Sequence, residues 1–166
     1  MYKGFHHDAD PMAQLGSVVA GLSSFMGSEN VRDSSYREDT AIKLIARMPV
    51  LAAIAFRTSV GLPVVGPDKN LGFVHNFLQM MFQDPMDKHS YIPDIFITMM
   101  MKMMIIYADM GQGPSTTAVR IAGSSLANPY ATISAGIASL WGDHHGGAAE
   151  ECPRGIVLSI SPRHNT

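Results

Sequence analysis

The residues best placed to do chemistry sit where an uncharged helix ends, in Leu140-Trp141-Gly142-Asp143-His144-His145-Gly146-Gly147. A helix that stops at Gly142 and hands over to histidine sets an imidazole at the mouth of a packed helical layer. Such a ring can cap the last helix carbonyls or face a ligand, and the residue types admit both. His145 is the candidate catalytic residue. Gly146 and Gly147 let the backbone turn tightly beside a bound molecule. Asp143 adds a carboxylate that favours a protonated imidazole.

Other groupings are weaker. His144, His145, Glu151 and Cys152 lie close in sequence, but adjacent histidines on a regular backbone diverge and no recognised ligand spacing joins them, so no metal is expected. Gly111-Gln112-Gly113-Pro114-Ser115-Thr116-Thr117 precedes a helix, as an anion-binding start would. It lacks the lysine and spacing of a phosphate loop, and is expected to be a glycine-rich turn with a serine or threonine cap. Cys152, the single cysteine, has no neighbouring base to activate it. His6, His7, His75, His89 and His164 have no visible partners in the sequence.

Helices must position these groups. Asp10 is a suitable N-cap with Pro11 at the first helical position, and Met12, Leu15, Val18, Val19, Leu22, Phe25 and Met26 recur at helical spacing behind it. A second helix is predicted over about 37–56, kinked or broken near Pro49. Gly61-Leu62-Pro63-Val64-Val65-Gly66-Pro67-Asp68 reads as a loop. A third helix covers about 71–82. A fourth opens near Pro93-Asp94 and is predicted to turn Ile95, Phe96, Met99, Met103, Ile106 and Met110 inward. Two small-residue helices then flank Asn128-Pro129, and loops are predicted at about 28–36, 58–69, 83–92 and 111–115. Only Ile156-Val157-Leu158-Ser159-Ile160 hints at a strand.

Composition narrows the class. At 166 residues the chain can bury a real core. It is 46% hydrophobic and only 16% charged, and its thirteen methionines suit irregular gaps between helices. A net charge of −2 without a basic stripe argues against nucleic acid. A lone cysteine excludes an internal disulfide framework and fits a reducing compartment. The N-terminus reads as neither signal nor transit peptide. The stretch from Arg120 to Asp143 has no charge between its ends and is long enough to span a bilayer. Ser124, Ser125, Asn128, Thr132 and Pro129 dilute and interrupt it, so no membrane partner is expected.

Ala127-Asn128-Pro129-Tyr130 through Gly147-Ala148-Ala149-Glu150 resembles the citrate synthase family, whose segment reads approximately N-P-[FY]-A-x-I-A-A-G-I-A-x-L-W-G-P-x-H-G-G-A-N-E. Ser115-Thr116-Thr117-Ala118-Val119-Arg120-Ile121-Ala122-Gly123-Ser124-Ser125 is similar to its S-T-S-T-V-R-x-A-G-S-S. Phe5 to Met12, Ile45-Ala46-Arg47-Met48-Pro49 and Asn70 to Phe82 resemble further family stretches, in order. The likeness extends over about residues 4–151 and is expected to form one partial helical domain, 1–151, with 152–166 an unrelated tail.

The resemblance implies an all-α fold of packed antiparallel helices like the large domain of citrate synthase. It implies an acyltransferase condensing acetyl-CoA with oxaloacetate to citrate, the entry step of the tricarboxylic acid cycle, with no further cofactor. His145 matches the family histidine that donates a hydrogen bond to the thioester carbonyl as the methyl group loses a proton. Gly146 and Gly147 match the substrate-binding glycine pair beside it. Helices matching Pro11–Met26 and Thr116–Trp141 pack the family's subunits, so a homodimer is expected, tight around Gly123, Ser124, Ala135 and Gly136. The compartment follows the source: cytoplasm in a bacterium, mitochondrial matrix or peroxisome in a eukaryote.

Departures are equally specific. Asp143 stands at the family's proline and Ala149 at its asparagine. Tyr107-Ala108-Asp109-Met110-Gly111-Gln112-Gly113 aligns with H-A-D-H-E-Q-N, so Met110 replaces the oxaloacetate-holding histidine and Gly113 the asparagine. The family's second catalytic histidine in G-[FY]-G-H, its aspartate base and its later carboxylate-binding arginines have no counterpart in these residues. The expectation is a fragment or truncated product, inactive alone. The alternatives are a non-catalytic scaffold that dimerises with itself or an intact paralogue, and a 2-methylcitrate synthase relative taking propionyl-CoA.

Overall fold

Small polar caps and prolines start the helices. The structure is a computed structural model that describes residues 1–6, 8–25, 30–87, 90–109 and 111–147. Helix α1 (Pro11–Leu22) begins where Asp10 Oδ1 accepts the backbone N–H of Met12 at 2.7 Å. Helix α2 (Ser34–Ser59) is capped by Asp33, which accepts from Ser35. Helices α3 (Phe73–Phe82), α4 (Asp94–Tyr107) and α5 (Pro114–Ser124) follow. Helix α6 (Pro129–Leu140) starts on Asn128, whose side chain accepts from Ala131 N at 2.9 Å. Among the described residues every regular element is helical. The strand-like run at Ile156–Ile160 and the expected boundary after Glu151 lie outside them.

Three expectations are corrected. Helix α2 starts at Ser34, not Arg37, and runs unbroken through Pro49 to Ser59. Pro49 is buried, and packing against α1, α3 and α6 compensates for its missing N–H. Helix α1 ends at Leu22 in a tight 3-10 turn at Ser23–Phe25, which swings Phe25 out to 74% exposure. Helix α4 does not turn its apolar residues inward. It has no buried residue, and Ile95, Phe96, Met99, Met103 and Ile106 are all exposed. It is apolar almost all round, so helical spacing defines no single inner face, and it packs mainly against α3.

The core lies where α1, α2 and α6 meet, around Val19, Leu44, Tyr130 and Ile137, with Met12, Leu15, Leu22, Met48, Leu51 and Ile133 against it. Small residues permit the close approaches. Ser134 Oγ donates to Gly16 O at 2.9 Å across α6 and α1. A Cβ on Gly136 would come within 2.7 Å of Val119 Cγ2, and one on Gly123 within 3.6 Å of Thr132 Cγ2. These pairs run in opposite directions, so α5 and α6 form an antiparallel hairpin. Gly136 therefore closes a contact within the chain.

Two polar latches complete the frame. Arg57, 1% exposed, donates to Pro63 O, to Met81 O at 2.9 Å and to Gln83 O at 3.0 Å, tying the loop after α2 to the end of α3. Tyr2 donates to Leu51 O at 2.9 Å, fastening the N-terminal turn to α2, and burial raises its phenol pKa to about 12. Among the described residues no helix is long and apolar enough to cross a membrane.

Candidate active site

The end of α6 shapes the site. After Leu140 the chain enters a wide turn over Asp143–Gly147, in which His145 N and Gly147 N both reach Gly142 O, at 2.9 and 3.3 Å. Wide turns of this kind often mark functional positions. Gly146 is what lets the turn fold back, since a Cβ there would sit 2.1 Å from Leu140 O. Gly147 is less demanding: its Cβ would make ordinary contacts at 3.7 Å. Neither glycine has a positive φ, so close approach to their own helix, not left-handed backbone, accounts for the pair's first member.

The turn aims His145 at the start of α5. Its Nε2 lies 2.7 Å from Ser115 Oγ, and Gly113 stands at the ring edge, where an added Cβ would lie 3.6 Å from His145 Cε1. The ring is half-buried, held between the wide turn and the first turn of α5. Serine and histidine each donate and accept, so the contact is satisfied in either tautomer. The expected serine or threonine cap of α5 is corrected here. Gly113 is the N-cap with no side-chain bond, and Pro114 takes the first position. The Ser115 hydroxyl points to His145 instead, while Thr116 and Thr117 bond back to Gly111 O and Gly113 O at 3.3 and 3.1 Å.

The loop before α5 approaches the same place. Gly111 takes φ +72°, a conformation that favours glycine, and its N–H reaches Asp109 Oδ1 at 2.8 Å. Arg120 Nη1 donates to Gln112 Oε1 at 2.8 Å, steadying the loop from α5. The structure thus brings His145 and Gly113 together across the turn. Met110, Ala149, Glu151 and Cys152 lie outside the described residues. Among those described, no three His, Cys, Asp or Glu side chains gather as metal ligands, and no ion pair links Asp143 to His144 or His145. The Asp143 side chain is exposed instead.

Sequence reading missed two residues. Ser115 lay inside a recognised run, but nothing in a separation of thirty positions says that its hydroxyl meets an imidazole. Arg57 gave no signal, because its acceptors are backbone carbonyls, which every residue has.

A profile described as "Citrate synthase, C-terminal domain" matches residues 1–160. The chain belongs to the citrate synthase family. Solved structures agree. Citrate synthase from Pyrobaculum aerophilum is 29% identical, with a TM-score of 0.75 over 97% of this chain and 44% of that one. The citrate synthase from Thermoplasma acidophilum, solved as a ternary complex with carboxymethyl coenzyme A and oxaloacetate, is 25% identical, with a TM-score of 0.84 over 97% of this chain and 40% of that one. Citrate synthase from Thermotoga maritima shares the fold at 23% identity, with a TM-score of 0.71 over 96% and 38%. The chain thus spans about two fifths of the length of these citrate synthases.

Proposed function

We propose that the chain carries one wall of a citrate synthase-type acyltransferase site, with His145 as the donor to the thioester carbonyl of acetyl-CoA. The observation that carries this reading is the 2.7 Å contact between Ser115 Oγ and His145 Nε2 in a chain of this family. Removing a methyl proton from acetyl-CoA drives negative charge onto the thioester oxygen, and a donor already fixed in place stabilises that charge without reorganisation. Ser115 holds one ring nitrogen, which leaves Nδ1 to face a ligand. The enol then attacks the oxaloacetate ketone to form citryl-CoA, and water hydrolyses that thioester to citrate and free CoA thiol. The Thermoplasma relative's bound carboxymethyl coenzyme A and oxaloacetate support the same substrate pair here, and propionyl-CoA remains an alternative acyl donor.

The 166 residues alone are proposed to be inactive, since they contain no G-[FY]-G-H histidine and none of the later arginines of the family pattern. A chimera tests the reading. Residues 1–147 replace the matching segment of the Thermoplasma enzyme, and thiol release from acetyl-CoA is followed with and without oxaloacetate. Oxaloacetate-dependent release that falls about 10²–10³-fold in kcat with His145→Ala is expected. Release unaffected by that substitution rejects the role. Replacing Met110 with histidine and Gly113 with asparagine restores polar groups and is expected to lower the oxaloacetate KM about ten- to hundredfold.

A second reading is favoured by Met110 and Gly113, which offer no side-chain donor where the family has two. The chain then serves as a non-catalytic scaffold that pairs with itself or an intact paralogue. Apolar residues left exposed on α5 and at the end of α6, such as Ile121 and Trp141, supply surface for such pairing.

A further inference from the structure

The loop that leads into α5 is held from α5 itself. Three side chains near the start of the helix reach back to it: Thr116 Oγ1 donates to Gly111 O at 3.3 Å, Thr117 Oγ1 to Gly113 O at 3.1 Å, and Arg120 Nη1 to Gln112 Oε1 at 2.8 Å. The two threonine bonds end on backbone carbonyls close in sequence. The Arg120 bond differs in kind, since it spans eight positions and joins two side chains. Its donor is a cation, which makes it the strongest of the three.

Gly113 is where this loop meets the His145 ring. A Cβ added there would lie 3.6 Å from His145 Cε1, and Cε1 is the carbon between Nδ1 and Nε2. Ser115 Oγ already engages Nε2 at 2.7 Å, so the loop borders the path to Nδ1. Ser115 and Arg120 share one helix, and α5 thereby holds the ring through one residue and the loop beside it through another. We propose that Arg120 is a positioning residue for His145: acting through Gln112, it holds the Gly111–Gly113 loop at the edge of the ring and sets the width of the opening at Nδ1. This role rests on the reading of His145 as the donor to substrate. The held loop itself depends neither on that chemistry nor on what covers the outer face of α5.

The full chain supplies the test. Diethyl pyrocarbonate carbethoxylates a neutral imidazole nitrogen, and peptide mass spectrometry follows each histidine separately, at about pH 8 where ordinary imidazoles are neutral. Arg120→Ala is expected to speed modification of His145 about two- to tenfold, the factor that loss of one hydrogen bond gives. The exposed His144 should keep its rate and serves as the reference. Gln112→Ala should act alike, and the double variant should add nothing, because the two residues work as a unit. Arg120→Lys keeps a cationic donor and should restore most of the slow rate. The Cε1–H signal of His145 in NMR should move in both alanine variants and return in Arg120→Lys. Alanine is a better helix former than arginine, so a weakened α5 does not mimic these effects. Thiol release in the chimera judges His145 as a donor, whereas the reagent judges only the loop, so either reading can fail alone. A His145 rate that does not rise in Arg120→Ala, additive effects of the two alanine substitutions, or a rise that His144 shares would each overturn the proposal.

Discussion

At the scale of single residues, the site depends on one glycine and one hydroxyl more than its sequence shows. Gly146→Ala must displace either the wide turn or Leu140 O, and overpacking of this kind is destabilising by about 1–3 kcal/mol, whereas Gly147→Ala should stay within about 0.5 kcal/mol. Denaturant melts of the two variants separate them, and equal losses would show that the turn relaxes freely. Ser115→Ala removes the partner of His145 Nε2. The expected loss is about 0.5–1.5 kcal/mol, together with a change in the ring nitrogen shifts of His145 in NMR. Unchanged shifts would mean that the contact does not set the ring's state. Tyr2 adds a pH effect. Its pKa is raised by burial from 10.0 to about 12, so the folded chain favours the neutral phenol. The stability this provides is complete below the unfolded value and is lost as pH rises through the window between the two. Tyr2→Phe should flatten that part of the stability profile, and a profile that keeps its alkaline fall would exclude Tyr2 as the cause.

At the scale of elements, α4 and Arg57 make opposite forecasts. The α4 residues Ile95, Ile105 and Ile106 are 62%, 72% and 66% exposed, so changing all three to lysine should leave stability within about 0.5 kcal/mol per site while raising solubility. A loss of several kcal/mol would show that α4 is core after all. Arg57 is polar but central. Arg57→Met leaves carbonyls at Pro63, Met81 and Gln83 without their donor, and the expected loss is on the order of 3 kcal/mol, read from chemical denaturation. Composition ranks these elements the wrong way round, because burial depends on what packs against a helix, and α4 meets little besides α3.

At the scale of the whole molecule, the exposed apolar residues on α4, α5 and the end of α6 predict association. Sedimentation equilibrium at micromolar concentration should show a dimer or larger species, and a stable monomer would exclude the scaffold reading that relies on pairing. Gly136→Leu is not a test of that interface. Gly136 faces Val119 inside the α5–α6 hairpin, so the substitution should lower the melting temperature of the chain itself.

The helical class was legible from sequence, and so were most helix starts. Asp10-Pro11 and Asn128-Pro129 set their helices by local chemistry that needs no neighbour, as the caps at α1 and α6 show. The family was legible too, because the run through His145 carries a specific order of residue types. What lay beyond sequence was every long-range choice. Helix α2 passes Pro49 because packing outweighs one lost backbone bond, and the apolar surface of α4 stays exposed because nothing described covers it. His145 finds Ser115, rather than Asp143 two residues away, because the wide turn after α6 throws the ring across to α5. Local capping and periodicity act over a few residues, so sequence determines them. The partners of a side chain depend on where separate helices come to rest, and only the tertiary structure decides that.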